Sequence, residues 1–95
     1  MKKKALKDLA EIKNYIERDS VYYANKTIAD ILRRIENLKL FSSMGRYVPE
    51  FNSKEMRELI YKSYRILYTF NSKNIYILRV IHHSRKISKL ETKIY

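Results

Sequence analysis

The chain of 95 residues has no cysteine, no tryptophan, and only one glycine and one proline. The lack of cysteine excludes disulfides, thiolate metal sites and thiol nucleophiles, and it suits a reducing cytoplasm. Acidic residues are scarce as well: ten Asp and Glu stand against 21 Lys and Arg, for a net charge of +11 and a pI near 9.9. Such an imbalance in a small domain costs self-repulsion, so it points to polyanionic partners or an acidic protein surface, nucleic acid first among them. No apolar run approaches the length of about 20 residues that a membrane span requires. Met1-Lys2-Lys3-Lys4 leads into a charged amphipathic segment rather than the apolar core of a signal peptide. The expectation is one soluble cytoplasmic domain over residues 1–95, without membrane contact.

Between residues 5 and 18, Leu6, Leu9, Ala10, Ile12 and Ile16 recur at helical spacing, while Lys7, Asp8, Glu11 and Glu17 take the other faces. Asp19 and Ser20 offer capping side chains for a second helix, with Ala24, Ile28, Ile31, Leu32, Ile35 and Leu38 as its apolar stripe. Two such stripes need a common third element, and a sheet supplies it. Ser42, Ser43, Gly45 and Pro49 break the helical pattern. Beyond them the period becomes alternating, over residues 56–61, 64–70 and 75–82, with Asn71-Ser72-Lys73-Asn74 as the last turn. The fold class read from this order is α+β, with two N-terminal antiparallel helices packed on a three-stranded antiparallel sheet. Ile87, Leu90 and Ile94, among Lys86, Lys89 and Lys93, predict a short C-terminal amphipathic helix. The tyrosines at periodic positions, Tyr15, Tyr22, Tyr23, Tyr61, Tyr64, Tyr68 and Tyr76 among them, read mostly as core or half-buried packing.

Four phrases occur in order: Gly45-Arg46-Tyr47-Val48-Pro49-Glu50, Arg57-Glu58-Leu59, Tyr64-Arg65-Ile66-Leu67-Tyr68 and Val80-Ile81-His82-His83-Ser84-Arg85. Together they resemble the RelE/ParE superfamily of small toxins from prokaryotic type II toxin-antitoxin operons, over nearly the whole chain. The resemblance implies a small antiparallel sheet covered by two helices, usually with one more strand ahead of the first helix. A helix opening at Ala5 leaves four residues, which at about 3.3 Å each are too short for that strand. A sheet lacking its usual first strand is therefore expected, with an unpaired neighbouring edge that invites a homodimer.

In the ribonuclease branch, the resemblance implies ribosome-dependent cleavage of mRNA with no metal and no cofactor. The reaction needs a base at the ribose 2′-hydroxyl, cations around the phosphate and a proton donor for the leaving oxygen. Arg65 matches the arginine placed on the scissile phosphate, and the other reading pairs it with Glu58 in the sheet. His83 matches a histidine used in proton transfer, a task imidazole suits, and the other reading is a structural strand-end residue. His82 points to the opposite face, and the pair is a poor metal signal. Glu50 resembles a glutamate that serves some relatives as general base, but a Pro-Glu step is common, and a structural turn or an antitoxin contact is the preferred reading. Arg46 and Arg57 either bind phosphate or hold the loop to the sheet. Arg79, Arg85 and Lys86 extend an RNA-facing cationic surface. Ser84 stands beside His83, and no local motif places a tyrosine in the stacking role that potent ribonuclease members give to one near the C-terminus.

These residues favour a toxin that cleaves mRNA on the ribosome and so inhibits translation, a metal-independent endoribonuclease. The alternative is a ParE-like inhibitor of DNA gyrase, which needs no catalytic constellation, and a degenerate member that only binds antitoxin is the third. Each implies a cognate acidic antitoxin that lays an amphipathic helix in an apolar groove or adds a strand, masking the basic surface. On the ribonuclease reading, Arg65→Ala abolishes cleavage with the fold largely preserved.

Overall fold

Helix α1 (Lys3–Glu17) and helix α2 (Val21–Asn37) are joined by a tight corner, where the Ser20 hydroxyl accepts the Tyr23 amide at 3.0 Å as N-cap of α2. The computed structural model describes residues 1–51 and 55–85. The C-terminal helix expected beyond Ser84, and Lys86 with it, lie outside the described residues. On α1 the buried stripe runs through Ala5, Asp8 and Leu9, whereas Leu6 is exposed; Asp8, assigned above to the outer faces, is thus an inner residue. Tyr15, Tyr22 and Tyr23 are also exposed, contrary to a packing role, because they cluster at the α1–α2 corner.

The sheet has four antiparallel strands in chain order: β1 (Arg46–Tyr47), β2 (Arg57–Tyr61), β3 (Tyr64–Phe70) and β4 (Ile75–His82). The meander agrees with the alternating pattern, and the added strand β1 corrects the count of three. Two residues are too short for a periodicity to show, and β1 exists only because Arg46 and Tyr47 pair with Glu58 and Arg57. Gly45, just before it, packs so closely that an added Cβ would lie 2.6 Å from the Glu58 carbonyl and 2.7 Å from the Tyr68 hydroxyl. That hydroxyl accepts the Gly45 amide at 2.8 Å and donates to the Ser42 carbonyl at 2.7 Å, fastening the loop to β3.

Alternation divides the core into two layers. Leu59, Tyr61, Ile66, Tyr68, Ile77 and Val80 pack under the helices with Ala5, Leu9, Ile31 and Leu38, while Leu67, Leu78 and Ile81 pack with Val48, Phe51 and Met56 on the opposite face. Ile77 and Val80 are three residues apart yet share a face, because a bulge in the β3–β4 pairing leaves Leu78 unmatched. The outer side of β4 is an edge of the sheet. There the Lys2 amide donates to the Ile77 carbonyl at 2.9 Å, and Asp8 Oδ2 accepts the Val80 amide at 2.9 Å. Among the described residues, no helix is long and apolar enough to cross a membrane.

Candidate functional site

Glu58 organises the face of the sheet turned away from the helices. Its side chain is 0% exposed, and each carboxylate oxygen accepts from one arginine: Oε1 from Arg65 Nε and Oε2 from Arg46 Nε, both at 2.7 Å. The register produces this arrangement, since Glu58 of β2 is paired with Arg46 of β1 on one side and lies diagonal to Arg65 of β3 on the other. Arg65 then uses its fork on Glu50: Nη1 and Nη2 donate to the two carboxylate oxygens at 2.6 and 2.7 Å. Nη1 also donates to the Arg85 carbonyl at 2.8 Å. Two carboxylates, Glu50 foremost, raise the pKa of this buried guanidinium above its ordinary value against the opposing effect of burial.

Above this network opens a cleft of about 650 Å³, lined by Arg46, Pro49, Glu50, Ile60, Lys62, Arg65, His83 and Ser84. Four of the residues singled out in the sequence, Arg46, Glu50, Arg65 and His83, therefore meet at one place. Their states differ from the expectations. Arg65 is only 6% exposed on its side chain, which corrects the picture of an arginine waiting for a scissile phosphate and matches the pairing with Glu58. Glu50 is the partner of that arginine rather than an unengaged base. His83 is exposed, with its backbone amide and Nδ1 both on the Ser63 carbonyl, at 2.6 and 3.2 Å. His82 borders the opposite groove, edge-on to Tyr64, but its ring centroid is only 4.5 Å from that of His83, so the two imidazoles do not diverge as residues of a continuing strand would.

Among the described residues, the remaining predicted cations do not converge on the cleft. Arg57 donates to the Ser43 and Gly45 carbonyls at 3.2 and 2.7 Å and stacks on Tyr47, so it holds the loop to the sheet. Arg79, expected on an RNA-facing surface, is buried instead: its Nε and Nη2 donate to Asp8 at 2.7 and 3.0 Å, which removes it from any such surface. Arg85 is exposed and borders the opposite, apolar groove. That groove, about 660 Å³, runs between the helices and the β2–β3 end of the sheet and is lined by Ile12, Tyr15, Ile16, Tyr23, Tyr64 and His82, among others. Among the described residues no three His, Asp or Glu side chains are grouped to hold a metal ion.

Sequence reasoning missed Lys62. It occupies the first position of the two-residue turn between Tyr61 and Tyr64 with φ 50°, on the ridge between the cleft and the apolar groove, and its Nζ lies over the Tyr61 ring, 5.6 Å from the centroid. A signal was present. Strands ending at residue 61 and restarting at 64 imply a two-residue hairpin, whose favoured turns need positive φ and normally use Gly, Asn or Asp.

Residues 1–87 match the family described as the ParE toxin of the type II toxin-antitoxin system, parDE. A comparison with curated proteins found no match. Among solved structures, the chain is similar to one described as the chromosomal ParDE TA system from P. aeruginosa, with a TM-score of 0.70 and 24% identity over 85% of this chain and 89% of that one. At this identity the likeness concerns the fold, and it agrees with the two-layer arrangement of helices on an antiparallel sheet.

Proposed function

Because this chain belongs to the ParE family of toxins from parDE type II toxin-antitoxin systems, we propose that it acts by binding DNA gyrase, and not by cleaving mRNA on the ribosome. A cognate antitoxin is the partner that such a system implies. The observation that carries the reading is the engagement of Arg65 by Glu50, Glu58 and the Arg85 carbonyl. To reach a scissile phosphate, Arg65 would have to leave two carboxylates in a largely buried site, and breaking such a pair costs about 3–5 kcal/mol. Glu50 is correspondingly held as an ion-pair partner. A toxin that acts by occupying a protein surface requires neither group to be available.

The antitoxin has a receptive surface in the apolar groove along α1. Its aromatic and aliphatic lining suits the apolar face of a helix, and the chain's +11 charge favours an acidic one. The ribonuclease reading keeps one specific support, the convergence of Arg46, Glu50, Arg65 and His83 on a single cleft.

Two assays on the same preparation separate the readings. Purified protein should inhibit supercoiling of relaxed plasmid by gyrase, and should leave mRNA intact in a purified translation system when the ends are mapped by primer extension. Ribosome-dependent cleavage with normal supercoiling would reverse the assignment.

A further inference from the structure

We propose that the loop joining α2 to β1 docks into an apolar pocket with a carboxylate rim on a partner protein, with Leu40 and Phe41 as the inserted side chains. The inference rests on the gyrase reading for its partner, and adds to it the surface through which this chain makes the contact.

Composition and fastening carry it together. Leu38 and Val48 turn into the core at the two ends of the segment, while between them Leu40 is 77% exposed, Phe41 65%, and Met44 and Tyr47 46% each. Slack in the backbone does not account for this display. The Leu40 and Phe41 amides both donate to the Asn37 carbonyl at 3.1 Å, and the Met44 amide donates to the Phe41 carbonyl at 3.0 Å. From beneath, buried Tyr68 holds Ser42 and Gly45, and Arg57 holds Ser43 and Gly45. A loop fastened at so many points has met much of its ordering cost before a partner arrives, and Phe, Met and Tyr are the side chains enriched in the buried centres of protein interfaces.

The occupant follows from charge and from what the rings can reach. Between Glu36 and Glu50 the chain has no acidic residue, and its charges there are Lys39 and Arg46, so the complementary surface is acidic. A protein fits better than a nucleic acid: Leu40 and Met44 offer no ring to a base, and the Arg57 guanidinium already covers Tyr47, 4.5 Å from the centroid, so the row of rings on which successive bases stack is lacking. The groove assigned above to the antitoxin is lined by Tyr23 and Thr27, in the first half of α2. The 17 residues of that helix, at about 1.5 Å each, put the loop about 25 Å from its start, so the loop is a second surface and not an extension of the groove.

The test uses the full chain and the gyrase holoenzyme, scoring supercoiling inhibition and direct binding by biolayer interferometry. Leu40→Ser combined with Phe41→Ser removes the proposed anchors from exposed positions, and an unchanged urea midpoint shows that the fold is kept. Tyr22→Ser removes a ring that is 74% exposed at the α1–α2 corner, outside the loop. The double variant should bind gyrase at least about tenfold more weakly, and Tyr22→Ser should stay within about twofold of the native chain. Lys39→Glu, which touches no core residue, should slow association about threefold at low salt, with the difference closing at high salt; it decides the matter if the double variant's midpoint moves. Equal inhibition by all variants would overturn the loop assignment and leave the gyrase reading standing, whereas no inhibition by the native chain would overturn both. Unchanged gyrase binding in the double variant, with a loss of self-association in sedimentation, of duplex DNA binding in anisotropy or of antitoxin binding, would give the loop to a second copy, to nucleic acid or to the antitoxin, and each of these overturns the proposal.

Discussion

Replacing Arg65 by methionine removes the one cation between Glu50 and Glu58 and leaves a fully buried carboxylate facing only the exposed Arg46. The expected loss is about 3–5 kcal/mol, measured as the shift in urea unfolding at neutral pH. A loss below about 1 kcal/mol would mean that the network is not structural. This reverses the expectation that Arg65→Ala spares the fold, and toxicity lost in such variants reports folding before it reports chemistry. Asp30 makes a second residue-scale prediction. The Tyr61 hydroxyl, donating at 2.6 Å, and then Lys26 hold its carboxyl well below the ordinary value of 3.8. A depressed folded-state pKa contributes stability that is present above the unfolded value and disappears as pH falls through the folded one. Stability of the native chain should therefore fall more steeply than that of Asp30→Asn between about pH 5 and pH 2, followed by circular dichroism in denaturant. Parallel curves would remove Asp30 from the acid response.

The edge of β4 tests the element scale. The expectation of an unpaired edge came from counting four residues before α1, and the structure supplies two partners there, the Lys2 backbone and the Asp8 carboxylate. Asp8 also holds buried Arg79, 71 positions away in sequence. Asp8→Ala should bare the Val80 amide and strand Arg79, and so raise concentration-dependent self-association in sedimentation, whereas Asp8→Asn keeps an oxygen for the amide and should associate less. Equal association by both variants would show that the side chain does not guard the edge. Local pattern made β3 and β4 legible, because Ile, Leu, Val and Tyr crowd two runs separated by an Asn-rich turn. It did not make β1 legible, since that strand is defined by its neighbour and by the close approach at Gly45.

For the whole molecule, charge sets the expectation. A chain of net charge +11 should bind polyanions with affinity that falls steeply as salt is added. If an acidic antitoxin covers part of that surface, the toxin-antitoxin complex should bind duplex DNA more weakly than free toxin, and with a shallower salt dependence. Native gel shift and anisotropy over a salt series measure both quantities. Equal binding with and without antitoxin would contradict the masking.

The sequence by itself determined the two helices, strands β2 to β4 and the family. Helical spacing before Gly45, alternation after residue 55 and the Ser20 cap are local signals, and local backbone preferences suffice to read them. The same locality gave the basic charge and the resemblance carried by Gly45 to Glu50 and by Tyr64 to Tyr68. Only the tertiary structure decided which charges face one another. Glu50 meets Arg65 across 15 positions, Glu58 divides its oxygens between Arg46 and Arg65, and Asp8 withdraws Arg79 from the surface. An arginine reads the same in sequence whether it awaits a phosphate or is held by two carboxylates. The difference lies in desolvation and geometry, which exist only once the strands are in register and the helices have closed over them.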